Sequence, residues 1–364
     1  MEDNNQEMYE LYARLTVKKL EEMAVQGDAW AQFELGVCYS NGIDVVQDYK
    51  QAVKWYTQAA EQGHSWAQTN LGIRYNLGEG VRKNYRKSVE WYMQAAEQGS
   101  DRAQYLLGLN YYEGKGVKKD YGKAMEWYTK AARQGHSGAQ FELGYCYRKG
   151  KGVEKDHAKA VRWFSKAAKQ GEEYAQFYMG VCFERGEGVR KNNKKAAEWY
   201  IKAAERGVVE AQYNLVAFYE NGFGVEKNKA KAIEWCSKAA EQGDPMALYH
   251  LGCCYEDGRE VGMDKKKALE LFGKAGERRH PQALCKLGDY YYQGIDVKQN
   301  DVKAEHFYRL AAMKGDREAE RKIYDIERMK AERKAAKRNW SDIILSEMEG
   351  QETTNIEDYD DVPF

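Results

Sequence analysis

The residues of this chain that could support chemistry are its cysteines and histidines, and many of them recur at fixed places. Of the seven cysteines, four occupy one equivalent position: Cys38, Cys146, Cys182 and Cys254. This spacing allows a row of thiols along a stack of repeats. It also fits small, half-buried side chains at a helix contact, which we favour because free cysteine commonly packs as a small hydrophobe. No CxxC pair indicates a zinc site.

Three of the six histidines share a second recurring place. His64, His136 and His280 each precede a predicted helix, where we expect them to cap the helix start. No HxxxH or HExxH motif is present. The stretch from Gly108 to Gly116 resembles a phosphate-binding loop, but its spacing is one residue too long and glycine replaces the magnesium-binding Ser or Thr. We therefore expect no catalytic residue, no metal and no cofactor, and predict that the chain is not an enzyme.

The charge composition narrows the partners. Lys and Arg number 57, as do Asp and Glu, so the net charge gives no reason to expect nucleic acid or an anionic membrane. The first seven residues are acidic, whereas a secretory signal peptide begins with basic residues followed by an apolar stretch. No apolar run in the chain approaches the length of a bilayer span. The sequence thus predicts a cytoplasmic protein without a membrane segment, which does not bind nucleic acid directly.

A period of 36 residues organises all of these positions. One alanine marks every copy: Ala31, Ala67, Ala103, Ala139, Ala175, Ala211, Ala247, Ala283 and Ala319. Since one copy cannot bury its apolar stripe alone, such units must stack on their neighbours. We number the repeats one to eight from Ala31.

Each repeat predicts two helices joined by a turn. In repeat three, Ala103, Leu107 and Tyr111 form an apolar stripe, and Gly108 beside them permits close approach of another helix. A glycine turn follows, and Asp120 is suited to cap the second helix. The second helix carries its own stripe and ends at a glycine: Ala124, Trp127, Tyr128, Ala131, Ala132 and then Gly135.

The pattern A-Q-x-x-L-G-x-x-Y-x-x-G-x-G-V-x-K-D-x-x-K-A-x-x-W-Y-x-K-A-A-x-Q-G resembles Sel1-like repeats over residues 31 to about 318. The resemblance implies an all-α, right-handed α-solenoid related to tetratricopeptide arrays, with a role as an adaptor. Some secreted relatives carry paired cysteines in every repeat, which this chain lacks. We therefore predict about eight 36-residue helix-turn-helix repeats with capping helices and a disordered acidic C-terminal tail, and no disulfide staples.

The repeat pattern also sets the domain boundaries. We predict an N-terminal capping helix within residues 1–26, the solenoid over 27–318, a basic capping helix over 319–340 and an acidic tail over 341–364. A solvated cap face is the favoured reading of the basic helix, with a nucleic-acid contact as the alternative. Repeat six has Val216 where glycine is expected, and repeat seven has Arg279 in place of the capping glycine. With Leu271 and Gly276 also departing from the pattern, the junction of repeats seven and eight should be the weakest.

The first helices present a second face, opposite the apolar stripe, which by resemblance to tetratricopeptide arrays should line a concave groove. In repeats three to six it holds aromatic side chains: Tyr105, Tyr112, Phe141, Tyr145, Phe177, Tyr178 and Tyr213. Charged residues interleave with them: Glu113, Glu142, Arg148, Lys149, Glu184 and Arg185. Aromatic residues with a polar rim are typical of protein-binding surfaces. Packing against the adjacent repeat is the alternative for Tyr105, Phe141, Phe177 and Tyr213.

The C-terminal tail is the second candidate binding element. It is rich in Asp and Glu and ends in Asp360, Asp361, Val362, Pro363 and Phe364. This tip resembles that of bacterial single-stranded-DNA-binding proteins, although nothing here resembles their oligonucleotide-binding barrel. A solvating tail, or one resting on the chain's own basic helix, is the alternative.

Two functions follow from these features. One is an adaptor of DNA replication or repair, recruited through the tip by proteins that read the single-stranded-DNA-binding protein. The other is a general adaptor of bacterial signalling, virulence or assembly, in which only the groove binds a partner.

Overall fold

A computed structural model describes Met8 and residues 11–351 of the chain. Throughout these residues the regular structure is α-helical, which confirms the all-α prediction. The chain divides into two compact units, the first comprising residues up to Ala211 with Phe223–Val225, and the second Gln212–Gly222 with the residues from Glu226 onward. The predicted disorder of the tail beyond residue 351, and its tip, lie outside the described residues.

The helices follow the sequence repeat. Helix α1 (Val17–Val25) precedes the array. The first helices of repeats one to eight are α2 (Ala29–Asn41), α4 (Ser65–Leu77), α6 (Asp101–Glu113), α8 (Ser137–Lys149), α10 (Glu173–Arg185), α12 (Val209–Asn221), α14 (Pro245–Asp257) and α16 (Pro281–Gln293). The second helices are α3 (Tyr49–Glu61), α5 (Tyr85–Glu97), α7 (Tyr121–Arg133), α9 (His157–Lys169), α11 (Asn193–Glu205), α13 (Lys229–Glu241), α15 (Lys265–Glu277) and α17 (Asp301–Ala312). Helix α18 (Arg317–Gln351) follows the last repeat.

Side-chain caps fix where the helices begin. His64 Nδ1 accepts a hydrogen bond from the backbone N–H of Ala67 at 3.2 Å, and the equivalent histidines do the same, as the sequence predicts. Asp120 Oδ1 accepts from the N–H of Lys123 at 3.0 Å and so caps α7. Gly116 lies in the turn between the two helices of repeat three. A Cβ at this position would lie 2.2 Å from the carbonyl oxygen of Tyr85 in the preceding repeat, so only glycine fits there.

In seven of the eight repeats the first helix packs on one ring of the second helix. A Cβ on Gly108 would lie 2.5 Å from Cδ1 of Tyr128, whose ring is fully buried. The predicted close approach at Gly108 is therefore confirmed, and its partner is this ring. The same pairing recurs as Gly36 with Tyr56, Gly72 with Tyr92, Gly144 with Phe164, Gly180 with Tyr200, Gly252 with Phe272 and Gly288 with Tyr308. Repeat six instead has Val216 and Cys236 in these two places, and both are buried.

A row of buried glutamines joins successive repeats. Gln104 donates from Nε2 to the carbonyl of Ala96 at 3.1 Å, and its Oε1 accepts from Nε2 of Gln134 at 2.9 Å. Equivalent glutamine pairs are Gln62 with Gln32, Gln98 with Gln68, Gln170 with Gln140 and Gln242 with Gln212, at 2.7–2.8 Å. These bonds satisfy polar groups at the helix ends that would otherwise be buried without partners.

One helix flanks the array at each end. Helix α1 begins at Val17, and the side chain of Thr16 accepts a hydrogen bond from the backbone N–H of Lys19 at its start. Helix α18 continues to Gln351, across the boundary that we predict at residue 340. In repeat seven Arg279 has a φ of 62°, which is the left-handed conformation that glycine adopts in the other repeats.

Candidate protein-binding face

The seven aromatic residues predicted to line the groove all lie on first helices, and each is half-buried. Six belong to the first unit and Tyr213 to the second. In the second unit, the Tyr213 and His250 rings lie 6.5 Å apart. We call the six residues of the first unit the aromatic face.

Three of these rings, two residues after the repeat alanine, contact the second helix of their own repeat. The ring centroids of Tyr105 and Tyr128 are 6.2 Å apart, and the corresponding distances are 5.9 Å for Phe141 with Phe164 and 5.8 Å for Phe177 with Tyr200. Tyr105 also stacks on His136 at the start of the next repeat, at 4.5 Å. These rings therefore contribute to packing as well as to the aromatic face.

Repeats four and five bring three of the predicted residues together. Tyr178 lies 5.8 Å from both Phe141 and Tyr145, and it stacks on Phe164 at 5.3 Å with an interplanar angle of 11°. The Arg148 guanidinium lies 5.2 Å from the Tyr178 ring, a cation–π contact. It is held there by Glu187, whose two carboxylate oxygens accept its hydrogen bonds at 2.7 and 3.2 Å. The result is a partly exposed aromatic cluster with a fixed positive charge.

One carboxyl group of the first unit has a shifted pKa. Burial, with smaller contributions from the negative charges of Glu172 and Glu113, raises the pKa of Glu142 to about 7. Burial is the main cause that raises the pKa of Tyr105 and of Tyr112 to about 12, and the negative charge of Glu142 contributes to both shifts. The first unit therefore contains a carboxyl group that is partly protonated at neutral pH.

Tyr112 does not join the cluster of repeats four and five through a ring contact. Its ring lies 5.0 Å from that of Tyr121, in an edge-to-face arrangement. Tyr174, which sequence analysis missed, lies 6.3 Å from Phe141 and is exposed. Tyr174 directly precedes the repeat alanine, as Trp30 and Trp66 do, and this recurrence of aromatic residues could have identified it from the sequence.

The cysteines show the features of packing residues. All seven lie within the described residues as free thiols, and six of them are buried. Burial raises the pKa of Cys146 and of Cys182 to about 12, which keeps both in the unreactive thiol form at neutral pH. Among the residues that the structure describes, no group of His, Cys, Asp and Glu could hold a metal ion. Across the same residues, every helix is too short or too polar to span a bilayer.

Comparison with known proteins decides the family. The Sel1 repeat profile matches eight segments of the chain: residues 31–64, 67–100, 101–136, 137–172, 173–208, 209–244, 245–280 and 281–316. The chain belongs to the Sel1 repeat family. The predicted α-solenoid of eight repeats is therefore confirmed.

Two solved Sel1 repeat structures are similar over most of the chain. One is a protective antigen present in uropathogenic Escherichia coli strains, which displays an SLR fold. It is 36% identical in sequence with a TM-score of 0.76, and the match covers 86% of this chain and 67% of the antigen's chain. A Sel1 repeat protein from Oxalobacter formigenes shares 34% identity with a TM-score of 0.66, covering 85% of this chain and 89% of its own. The comparison with curated proteins gave no match.

Proposed function

We propose that this Sel1 repeat protein is a non-enzymatic scaffold that binds other proteins through the aromatic face. The observation that carries the proposal is the cluster of Phe141, Tyr145 and Tyr178 with Arg148, which is ordered by its own contacts yet only half-buried. Aromatic and arginine side chains dominate the energetics of protein interfaces, because they bury much area at little entropic cost. Stacked repeats supply the extended surface that such a partner needs.

Loss of accessible rings tests this proposal. Replacing Tyr112, Tyr145 and Tyr178 together by Ala should abolish recovery of the partner while leaving the helical circular dichroism signal intact. The matched control replaces three half-buried aromatic residues of the second helices, Trp127, Trp163 and Trp199, by Ala. Equal loss of binding in both variants, or loss of helicity in the first, would assign the tyrosines to the core instead.

The tail supplies a second, finer part of the proposal, which is recruitment to DNA replication or repair proteins. Its support is the sequence of the tip, in which two aspartates precede Val362, Pro363 and Phe364. Such a tip suits a small pocket, because the phenylalanine is an apolar anchor, the proline limits the entropy lost, and the aspartates favour a basic surface. The alternative is a general adaptor of bacterial signalling, virulence or assembly whose tail only solubilises the protein or rests on the basic helix.

A peptide of residues 355–364 separates these two functions. The recruitment proposal expects it to bind a bacterial protein that takes the single-stranded-DNA-binding tip, with micromolar affinity, and to compete with that tip. Removing Phe364 should eliminate binding, whereas Thr353→Ala in the full-length protein should leave it unchanged. If the peptide without Phe364 binds equally well, the attraction is merely acidic and the general adaptor is the better description. In parallel, affinity capture from a bacterial lysate should enrich repair proteins with the intact chain, but not with a chain lacking its last four residues.

A further inference from the structure

The first unit contains a cavity that the aromatic face does not include. Its volume is about 490 Å³, within the range of roughly 300–1,000 Å³ that is typical of ligand sites. The first helices of repeats one and two and the start of α6 form most of its wall. Residues that matter for the argument are Phe33, Trp66, Thr69, Arg74, Ser100 and Arg102.

The cavity lies where repeats one, three and seven have a pair of stacked rings. Two residues after the repeat alanine, Phe33 stacks on His64 at 4.8 Å, and Tyr105 stacks on His136 at 4.5 Å. The equivalent residues of repeat two and the following junction are Thr69 and Ser100, whose hydroxyl oxygens are 3.4 Å apart. In repeat two, two small side chains occupy the places of the two rings, which leaves a space lined by Phe33 and Trp66 and by polar side chains such as Thr69.

Two arginine side chains line this cavity. Arg74 is anchored by its Nη1, which lies 2.5 Å from Oε2 of Glu79, and Arg102 is exposed. Burial raises the pKa of Tyr92 to about 12, and the positive charges of Arg102 and Arg74 both oppose that rise, so the two guanidinium groups act on one small region. Asp101 also lines the cavity, with one carboxylate oxygen accepting the backbone N–H of Arg102 at 2.6 Å.

We propose that this cavity binds an acidic peptide segment, with a large apolar side chain in the space of the missing rings and a neighbouring carboxylate against Arg74 and Arg102. The pairing follows from the chemistry, because the wall includes the rings of Phe33, Tyr56 and Trp66, and guanidinium groups, which hold carboxylates best, line the same cavity. A peptide fits better than a small solute, because the lining comes from successive first helices, along which an extended chain can lie. The cavity lies outside the aromatic face, and its occupation does not require a partner there.

A defined probe tests the proposal with the full-length protein. The probe is a fluorescent peptide with blocked ends, Gly-Asp-Asp-Leu-Phe-Gly, and the control peptide has lysine in place of both aspartates. Fluorescence anisotropy should show micromolar binding of the acidic probe, weakened by salt, and at least tenfold weaker binding of the lysine peptide. Equal binding of both peptides would overturn the charge assignment.

Filling the cavity is the decisive variant. Thr69→Tyr with Ser100→His recreates the ring pair of repeat three, and the new histidine can cap α6 as His136 caps α8. This variant should keep its helicity, and its affinity for the probe should fall at least tenfold. Arg102→Gln should also weaken binding at least tenfold, whereas Arg133→Gln, at another exposed arginine, should not. Undiminished binding by the folded, filled variant would overturn the proposal.

Two further arms separate the source of the ligand from the function of the aromatic face. Competition by the peptide of residues 355–364 would support the cavity and identify the tail of another copy as an occupant. If the probe binds and the peptide of residues 355–364 does not compete, the result would support the proposed site with a different acidic partner. The variant lacking Tyr112, Tyr145 and Tyr178 should bind the probe normally, so failure of one site does not imply failure of the other.

Discussion

At the scale of single residues, Gln176 shows what one departure from the repeat does. Its Nε2 donates to the carbonyl of Ala168 at 3.2 Å, but its Oε1 is buried without a hydrogen-bond partner among the described residues. In the equivalent places Gln134 and Gln170 complete the bond, whereas here the residue is Arg206. The glutamine row therefore has an unsatisfied acceptor at this step.

Arg206→Gln should complete this row and stabilise the protein. A hydrogen bond that satisfies a buried acceptor contributes about 1 kcal/mol, and the midpoint of urea unfolding should rise accordingly. Arg190→Gln is the matched control at an exposed arginine and should leave the midpoint unchanged. A lower midpoint for Arg206→Gln would mean that the arginine makes the better contacts.

Arg279 offers a second stabilising change. Its φ of 62° is the left-handed conformation, which costs a residue with a Cβ roughly 1–2 kcal/mol. Arg279→Gly should therefore raise the free energy of unfolding by about 1 kcal/mol. Arg278→Gly, where φ is −81°, should not stabilise. If both glycines have the same effect, backbone strain at Arg279 is not the cause.

His64 makes stability depend on pH. Burial lowers the pKa of His64 to about 4 from 6.5, so the unfolded chain binds its proton at a higher pH than the folded chain does. The stabilisation from neutral His64 is present above pH 6.5 and is lost as the pH falls toward 4. Relative to His64→Asn, which retains a capping side chain, the natural protein should lose unfolding free energy over that interval. An equal loss of unfolding free energy by the two proteins over that interval would contradict the assignment to His64.

At the scale of the helix pair, the contact between glycine and ring is the central packing unit. Gly108→Val would place new methyl groups within the Tyr128 ring, which is fully buried, and should destabilise by about 3 kcal/mol through overpacking. Adding Tyr128→Cys copies the Val216 and Cys236 combination of repeat six and should recover part of that loss. A double-mutant cycle on unfolding free energies measures the coupling. Simple additivity of the two changes would contradict the pairing.

At the scale of the whole chain, a stack of repeats should transmit damage mainly to neighbouring repeats. Gly36→Val and Gly108→Val alter the same packing unit in repeats one and three. Hydrogen exchange should show lost protection near the N-terminal end for the first variant, and on both sides of repeat three for the second. Uniform loss across the chain in both cases would indicate one cooperative unit instead.

The sequence predicts most of this fold, because its signals are local and repeated. The stripe of Ala103, Leu107 and Tyr111 and the histidine caps depend only on helical spacing, and the structure confirms them. The partner of Gly108 and the unsatisfied acceptor of Gln176 depend on which helices are in contact. A short stretch of sequence does not contain that information. The cavity escaped prediction for the same reason, since Thr69 and Ser100 are unremarkable until their neighbours' rings are seen side by side.

The swap in repeat six has a consequence for how such a gene can change. Gly108 and Tyr128 must suit each other in size, and the equivalent places of repeat six hold Val216 and Cys236, which are both buried. The members of each pair are separated along the chain. Recombination between repeats three and six could place its crossover between the first-helix residue and the second-helix residue of the pair. The product would then combine valine with tyrosine, or glycine with cysteine, in one repeat. The first product is overfilled and the second contains a void. Exchange between the two repeats should therefore survive only when the segment from the first helix to the ring is inherited as one block.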